Sequence, residues 1–396
     1  MVFMKTKLTN DVYLVGVKDW NRRLFDALIP LPQGTSYNSY LVRGMSKTAL
    51  IDTVNPGFET QFLDNIAQIM DVKDIDYLIM NHAEPDHAGA IPFIMDRSKA
   101  ILVTTEKGAK MAKLQFNVTD ARIKVVKDKD TLSLEGKTLQ FFEAPWLHWP
   151  ETMFTYLIED KILFPCDFFG SHTAFGIYDT DVEDLLPNAQ RYFGEIMMPF
   201  RAMGKKALEK LKNYDVQIIA PSHGPIYKNP KKIMHAYEDW TSGKTKEKAI
   251  LIYATMWKST EKMMTAMAET LMINAIDVKI YNLANADIGD IAKDLVDSRA
   301  IVLGSPTVLG SLHPLAVYAV HLAKVLNPPL KYGVFLGSYG WGGAGAKYVV
   351  DALGTKLEIV GACEINGPPT AADMHTVVGI GITLADKIKN EKMPGY

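Results

Sequence analysis

The stretch that most constrains this chain is YLIMNHAEPDHAGA, residues 77–90. An apolar strand, Tyr77 to Met80, stops at Asn81 and opens into a loop that carries His82, Glu84, Asp86 and His87 before a helix begins. Each of these ionisable groups is costly to bury in a strand-end crevice without a partner, and bound cations satisfy all of them together. Read as an extended loop, positions 82, 84 and 86 share one face, and the adjacent His87 turns toward a second ion. Three later segments repeat the pattern of an apolar run ended by one potential ligand. His148 follows TLQFFEA, Asp167 follows ILFP, and His223 follows VQIIAP. These seven donors exceed what one four-coordinate ion takes and suit two ions that share a carboxylate. The mixture of three carboxylates and four imidazoles is harder than a three-histidine zinc pocket and suits non-haem iron, although affinity order alone leaves zinc open.

A chain of 396 residues, 48% of them hydrophobic, has material for two cores. DVYLVGV at 11–17 and SYNSYLVRG at 36–44 read as half-buried strands, and KTALIDT at 47–53 as a core strand before the helix-like FETQFLDNIAQIM. AILVTT at 100–105 reads as a further strand followed by the helix EKGAKMAKLQF, and TLSLEGKTLQFFEAP as a hairpin turning at Glu135 and Gly136. This alternation predicts two sheets sandwiched between helices, with the metals at one edge. The formal charge of −2 points to no nucleic-acid or membrane partner. Only Cys166 and Cys363 are present, too few for a disulfide scaffold or a cysteine-ligated cluster, so a cytoplasmic location is expected. No apolar run reaches the roughly 20 residues of a membrane span.

A domain boundary is placed in the polar stretch Gly243 to Lys246, giving an N-terminal domain over 1–246 and a C-terminal domain over 247–396. The second domain begins with a strand, Ala249 to Ala254, and the loop TMWKST, before a Met-rich helix that starts around Ser259 and Thr260. Backbone N–H groups and hydroxyls at such a turn can cradle a phosphate. The loop has neither the Gly-Lys-Ser/Thr ending of an ATP site nor a GxGxxG dinucleotide fingerprint. AIVLGSPTVLGSLHP at 300–314 and YGVFLGSYGWGGAGAK at 332–347 each place Gly, Ser or aromatic residues after a buried strand, as in the ligand crevice of a doubly wound sheet. Methionines 263, 264, 267 and 272 are expected to fill the helix–sheet seam rather than bind a metal.

The order H-x-E-x-D-H, then a single His, Asp and His, resembles the metallo-β-lactamase superfamily, with Glu84 where its zinc hydrolases typically carry a second His. Together with LHWP at 147–150 and the C-terminal half, it resembles the flavodiiron proteins, or A-type flavoproteins, along essentially the whole chain. The resemblance implies an α/β chain, an N-terminal αββα metallo-β-lactamase-like sandwich followed by a doubly wound flavodoxin-like domain. It implies two irons per chain, one held by His82, Glu84 and His148, the other by Asp86, His87 and His223, with Asp167 bridging them. It also implies FMN, with Thr255, Met256, Trp257, Lys258, Ser259 and Thr260 around the phosphate, and Pro306, Thr307, Val308 and Leu309 with Ser338, Tyr339, Gly340, Trp341, Gly342 and Gly343 around the ring. Trp341 can cover the isoalloxazine face or serve as a core aromatic. Some members carry a His where this chain has Asp26, so no proton-donating role is assigned to that loop.

Two function classes follow. A hydrolase with a metal-activated hydroxide has no need of FMN, whereas an oxidoreductase passing electrons from FMN to two irons uses both domains. The resemblance favours reduction of dioxygen to water, with nitric oxide reduction to nitrous oxide as the alternative. It implies a head-to-tail homodimer or a dimer of dimers. The sequence holds no paired C-x-x-C segments, so the expected donor is a separate rubredoxin or a reduced deazaflavin coenzyme. Cys166 is read as a small buried hydrophobe. His172 is left between a partner of a ligand and a surface residue, and Tyr192 between a phenol donor and a core aromatic.

Overall fold

Short β-rich segments lead the chain and a regular strand–helix alternation closes it, and the two halves fold accordingly. The computed structural model describes residues 6–343, 345–354 and 356–390. The chain divides into two compact units, Met1–Thr241 and Ser242–Tyr396.

The first unit is an αββα sandwich. Its larger sheet orders the strands Thr6–Thr9, Val12–Leu14, Tyr40–Arg43, Thr48–Ile51, Tyr77–Ile79, Ile101–Thr104 and Ile123–Val125, antiparallel up to Thr48–Ile51 and parallel thereafter. The smaller runs from Thr131–Ser133 through Thr138–Glu143, Met153–Leu157 and Ile162–Phe164 to Ile218–Ile219. Strands alternate side chains between two faces, so Ile51, Ile79 and Val103 meet Phe141, Leu157 and Phe164 between the sheets, while Leu50, Leu78 and Leu102 face the helices. Those helices, Glu59–Ala67, Ile91–Arg97 and Glu106–Phe116, contribute Phe62, Ile66, Ile91, Ile94 and Ala112 to the outer core. The hairpin turns at Glu135 and Gly136, both at positive φ as a tight turn requires.

Two segments read as single strands are each broken in two. Residues 11–17 form Val12–Leu14 and Val17–Asp19, which belong to different sheets. At the break a Cβ on Gly16 would lie 2.2 Å from the Tyr37 carbonyl oxygen, so the chains cross there only because glycine has none. Residues 36–44 divide into Thr35–Tyr37 and Tyr40–Arg43. Between them Asn38 leaves the ladder, and its Nδ2 donates to the carbonyls of Pro221 and Gly224.

The second unit is a doubly wound α/β domain. Its five parallel strands are ordered Asp277–Asn282, Lys248–Tyr253, Ala300–Val308, Tyr332–Tyr339 and Glu358–Asn366, the sequential order 2-1-3-4-5 of a flavodoxin-like sheet. One face is covered by Ser259–Ile273 and Ala371–Asn390, through Met263, Met264, Met267, Leu271, Val377, Leu384 and Ile388. Met272 departs from the expected seam and is 54% exposed. It lies five residues beyond Met267, roughly 140° around a helix of 3.6 residues per turn.

Beneath this sheet Lys248 Nζ is buried and donates to Asp294 Oδ1 and Asp297 Oδ1, both at 2.8 Å. Burial pushes the ammonium down, but the two carboxylates outweigh it and hold it above its ordinary value. Truncation to alanine takes a buried cation from both carboxylates, leaving Asp294 with the Tyr281 hydroxyl and Asp297 with Lys246 Nζ. Lys248→Ala is therefore expected to cost about 3–5 kcal/mol, read as faster amide exchange along Lys248–Tyr253.

Candidate metal centre and cofactor loops

The strand Tyr77–Ile79 delivers His82 at its end, but the following loop is not extended throughout. Glu84 is the extended residue before a single helical turn, Pro85–Ala88, with Pro85 at its first position. Asp86 and His87 therefore diverge by about 100° as helical neighbours, rather than Asp86 sharing a strand face with Glu84. Asp167 comes from the turn after Ile162–Phe164, His148 from the loop between Thr138–Glu143 and Met153–Leu157, and His223 from the loop after Ile218–Ile219. The broken strand holds that last loop: Ser36 O accepts from His223 Nδ1 at 2.6 Å, Ser36 Oγ from Gly224 N at 2.8 Å, and Ser222 O from Asn38 N at 2.7 Å.

All seven residues converge. His82 Nε2 and His148 Nε2 lie 3.2 and 3.1 Å from Glu84 Oε2, and both lie 3.5 Å from Asp167 Oδ2. On the other side, His87 Nε2 and His223 Nε2 lie 3.3 and 3.1 Å from the Asp86 oxygens, and 3.0 and 3.4 Å from Asp167 Oδ1. The two oxygens of Asp167 thus face two separate sets of donors. Both Asp86 oxygens, both His87 nitrogens and Asp167 Oδ2 are buried without an aligned hydrogen bond. Polar atoms this close that do not bond one another are ligand atoms aimed at a common point, and the donor set fits a pair of cations.

The electrostatics agree. Burial pushes His87 down, but the charges of Asp167 and Asp86 raise it to about 9. Burial likewise opposes the charged form of His82, yet hydrogen bonds to Glu151 and Glu84 raise it well above its ordinary value. Asp167 and Glu84, pushed up by burial, are drawn below the carboxylate range by the facing imidazoles. Without cations the carboxylates hold protons on the imidazoles, and metal binding must expel them. We expect metal uptake at pH 7 to release protons and apparent affinity to rise with pH through about 9, where His87 is half deprotonated. The sign for stability is the reverse: His87 stabilises the metal-free fold fully below its ordinary 6.5 and ceases to as pH passes about 9. A pH indicator in weakly buffered protein reads the first effect, and metal uptake without proton release would contradict it.

One neighbour, Glu151, escapes sequence reasoning, and the structure decides the roles that the sequence leaves open. Glu151, in the segment just after LHWP, accepts from His82 Nδ1 at 2.7 Å and from Ala83 N at 2.9 Å. Burial would raise its carboxyl, but the His82 bond holds it below the ordinary value. Tyr192 is both core aromatic and phenol donor: it is buried, and its hydroxyl donates to Asp167 Oδ1 at 2.8 Å. Burial, with Asp167 beside it, raises that phenol well above 10, so it stays protonated. His172 packs on His223 and Tyr192, and its Nδ1 lies 2.9 Å from Thr35 Oγ1. Burial, with His223 beside it, pushes its pKa well below the ordinary value. Cys166 is buried, accepts from Ser222 Oγ at 3.1 Å, and its thiol is pushed up by burial. Asp26 sits on an exposed turn, where partial burial and the charges of Glu84 and Asp86 raise its carboxyl.

In the second unit the FMN candidates lie at the carboxyl ends of adjacent strands. Thr255, Met256, Trp257 and Lys258 follow Lys248–Tyr253, and Ser338 and Tyr339 end Tyr332–Tyr339. Pro306, Thr307 and Val308 belong to the strand Ala300–Val308 itself, not to a loop, and Leu309 is the 90% exposed turn beyond it. Lys258 adopts φ +67° before the helix Ser259–Ile273, which has no side-chain cap. The first N–H groups of that helix are left facing the loop, as anion binding requires. Thr260 Oγ1, in the first turn of that helix, and Ser338 Oγ, near the end of its strand, pair at 3.1 Å. Trp257 and Trp341 are 87% and 72% exposed, which removes the reading of Trp341 as a core aromatic. A Cβ on Gly340 or Gly342 would meet nothing within 4 Å, so the loop leaves open space. These features fit a flat, phosphorylated ligand.

The fold and the two-cation cluster define a metallo-β-lactamase-like metal domain joined in one chain to a flavodoxin-like domain. Residues 35–224 match the family model described as ODP family beta lactamase. The chain is 36% identical to a nitric oxide reductase of Moorella thermoacetica, over 96% of this chain and 98% of that protein. It is also 36% identical to a coenzyme F420H(2) oxidase of Methanocaldococcus jannaschii, over 98% of each. The solved rubredoxin oxygen:oxidoreductase from Desulfovibrio gigas superimposes with a TM-score of 0.94 at 31% identity, covering 98% of this chain and 99% of that one. The chain belongs to the flavodiiron proteins, and it is an oxidoreductase.

Proposed function

We propose that this protein passes electrons from a reduced deazaflavin coenzyme or a rubredoxin, through FMN, to two irons held by the seven-residue cluster, and reduces dioxygen to water. The observation that carries the reading is Asp167, whose two oxygens face two matching sets, each of two imidazoles and one carboxylate. When bound, FMN takes electrons in pairs and gives them singly, and the iron pair delivers them to a small diatomic molecule. His82, Glu84 and His148 would hold one iron, Asp86, His87 and His223 the other, and Asp167 both. Tyr192 fixes the plane of the bridging carboxylate by donating to Oδ1. Ser36 fixes His223 as its Nδ1–H tautomer, leaving Nε2 for metal. Burial of five of the seven groups excludes water, so the charges that hold the cations act at full strength. Thr255, Ser259 and Thr260 would hold the FMN phosphate, with the flanking loops around the ring.

The relative named a nitric oxide reductase favours reduction of nitric oxide to nitrous oxide as the second reading. The names of the other two support the two donors. We further propose a head-to-tail homodimer, alone or paired as a dimer of dimers, in which the flavin of one copy faces the irons of the next. A cytoplasmic location is supported by two free, buried cysteines, and among the described residues no helix is long and apolar enough to cross a membrane. Anaerobic stopped-flow mixing with each reduced donor, followed by exposure to each gas, tests the route. FMN is expected to reduce with one donor and reoxidise with dioxygen. Failure with both donors or both gases would return the hydrolase reading.

A further inference from the structure

We infer that Glu151 is a positioning residue that fixes His82 as its Nδ1–H tautomer and, as a buried negative charge behind that ligand, makes the Glu84 half of the centre the stronger electron donor of the two. This rests on the two-iron reading above.

The two halves carry the same kinds of donor, although Tyr192 donates to Asp167 Oδ1 on the Asp86 side and the Glu84 side is the less buried. Each presents two imidazoles, one terminal carboxylate and one oxygen of Asp167. They differ in what stands behind the imidazoles. His82 Nδ1 meets a full carboxylate, Glu151 Oε1, at 2.7 Å, with both side chains fully buried. His223 Nδ1 meets the neutral carbonyl of Ser36, and His87 Nδ1 has no hydrogen-bond partner among the described residues. A second buried carboxylate, Asp52, feels the charges of His87 and, less strongly, of His82, but its hydrogen bonds go to Asn81, whose N and Nδ2 donate to its two oxygens.

The Glu151 charge is also not cancelled locally. Among the described residues its one ion-pair partner is His82, and Oε2 is buried without a hydrogen bond. The group is tethered from its own backbone, where Thr105 Oγ1 donates to Glu151 O at 2.9 Å, and from the metal loop, where Ala83 N donates to Oε1. Residue 151 therefore cannot swing away from His82 without breaking the loop that carries His82. A carboxylate hydrogen-bonded to a metal-bound imidazole raises the basicity of the ligating nitrogen, and in a water-free interior that effect is barely screened. A more basic ligand favours the ferric over the ferrous ion at the half it serves. The two irons should then differ in potential, the His82 half being oxidised first.

The test is a redox titration of the full-length, iron-loaded protein, following the two one-electron steps by EPR in wild type and in Glu151→Gln. Glutamine keeps the acceptor oxygen and removes the charge. The expected result is that the lower potential rises while the higher one stays within error, by about 59 mV for each tenfold loss of ferric preference. Glu151→Ala removes the acceptor as well and is expected to weaken metal retention by about 10–100-fold. Zinc-loaded protein labelled with 15N-histidine supplies a readout independent of iron: the His82 Nδ1 resonance should report a protonated nitrogen in wild type and Glu151→Gln alike, and lose that fixed signature in Glu151→Ala. Two irons retained in Glu151→Gln with both potentials unchanged, or with both shifted equally, would overturn the inference. A wild-type chain that holds no iron pair would instead overturn the functional reading beneath it.

Discussion

Asp167→Ala is expected to leave a folded protein that no longer holds two coupled irons and turns over more than about a hundredfold more slowly than wild type. The floor follows from the rule that residues merely bonded to a ligand cost 10–100-fold on mutation, and Asp167 stands nearer than those. Its Oδ2 lies 3.5 Å from the ligand nitrogens of His82 and His148, and its Oδ1 3.0 Å from that of His87. Alanine thus removes a donor from both halves at once and exposes the two cations to each other without the shared negative charge. Tyr192, deprived of its acceptor, adds a buried hydroxyl without a partner. Loss of one terminal ligand, such as His148, should weaken one ion and spare the other. Iron per chain and Mössbauer spectra distinguish the cases, and two coupled irons surviving in Asp167→Ala would remove the bridging role.

Zinc-loaded protein is expected to accept electrons at FMN and to pass none to nitric oxide. Zinc has no accessible second oxidation state, yet the affinity series gives it an advantage over ferrous iron at the same nitrogen and oxygen donors. The carboxylate-rich cluster therefore has no strong means of rejecting zinc, and loading conditions decide which metal it carries. Iron- and zinc-reconstituted samples of one apoprotein preparation should show equal FMN reduction and unequal gas consumption. A fully active zinc form would point back to Lewis-acid chemistry and away from electron transfer.

The metal cluster was legible because its grammar is local. Each of His82, His148, Asp167 and His223 ends an apolar run, so strand patterning located the ligands before any contact was known. The one-turn helix Pro85–Ala88 was hidden by its length, although Pro85 followed by an acidic residue is a helix-start signal that could have found it. Glu151 was not legible as a partner of the cluster, and the sequence leaves Tyr192 open between phenol donor and core aromatic. They reach His82 across 69 residues and Asp167 across 25, and no periodicity records such a contact. The breaks at Gly16 and Asn38 show the same limit: both segments alternate like continuous strands, and only the His223 loop packed against them explains why the second is interrupted. In the second unit the strand–helix alternation carried the doubly wound sheet, while the extent of Ala300–Val308 depended on pairing with Ser311–Leu312, which its Gly-containing sequence disguised as a loop.

The central claim is that the irons, not the flavin, meet the gas. Its most direct measurement is rapid-freeze Mössbauer spectroscopy of fully reduced, 57Fe-loaded protein mixed with limiting dioxygen, with FMN absorbance followed on the same time axis. The account predicts that the iron spectrum changes first and the flavin reoxidises afterwards. Flavin reoxidation that runs ahead of an unchanged ferrous spectrum would contradict it.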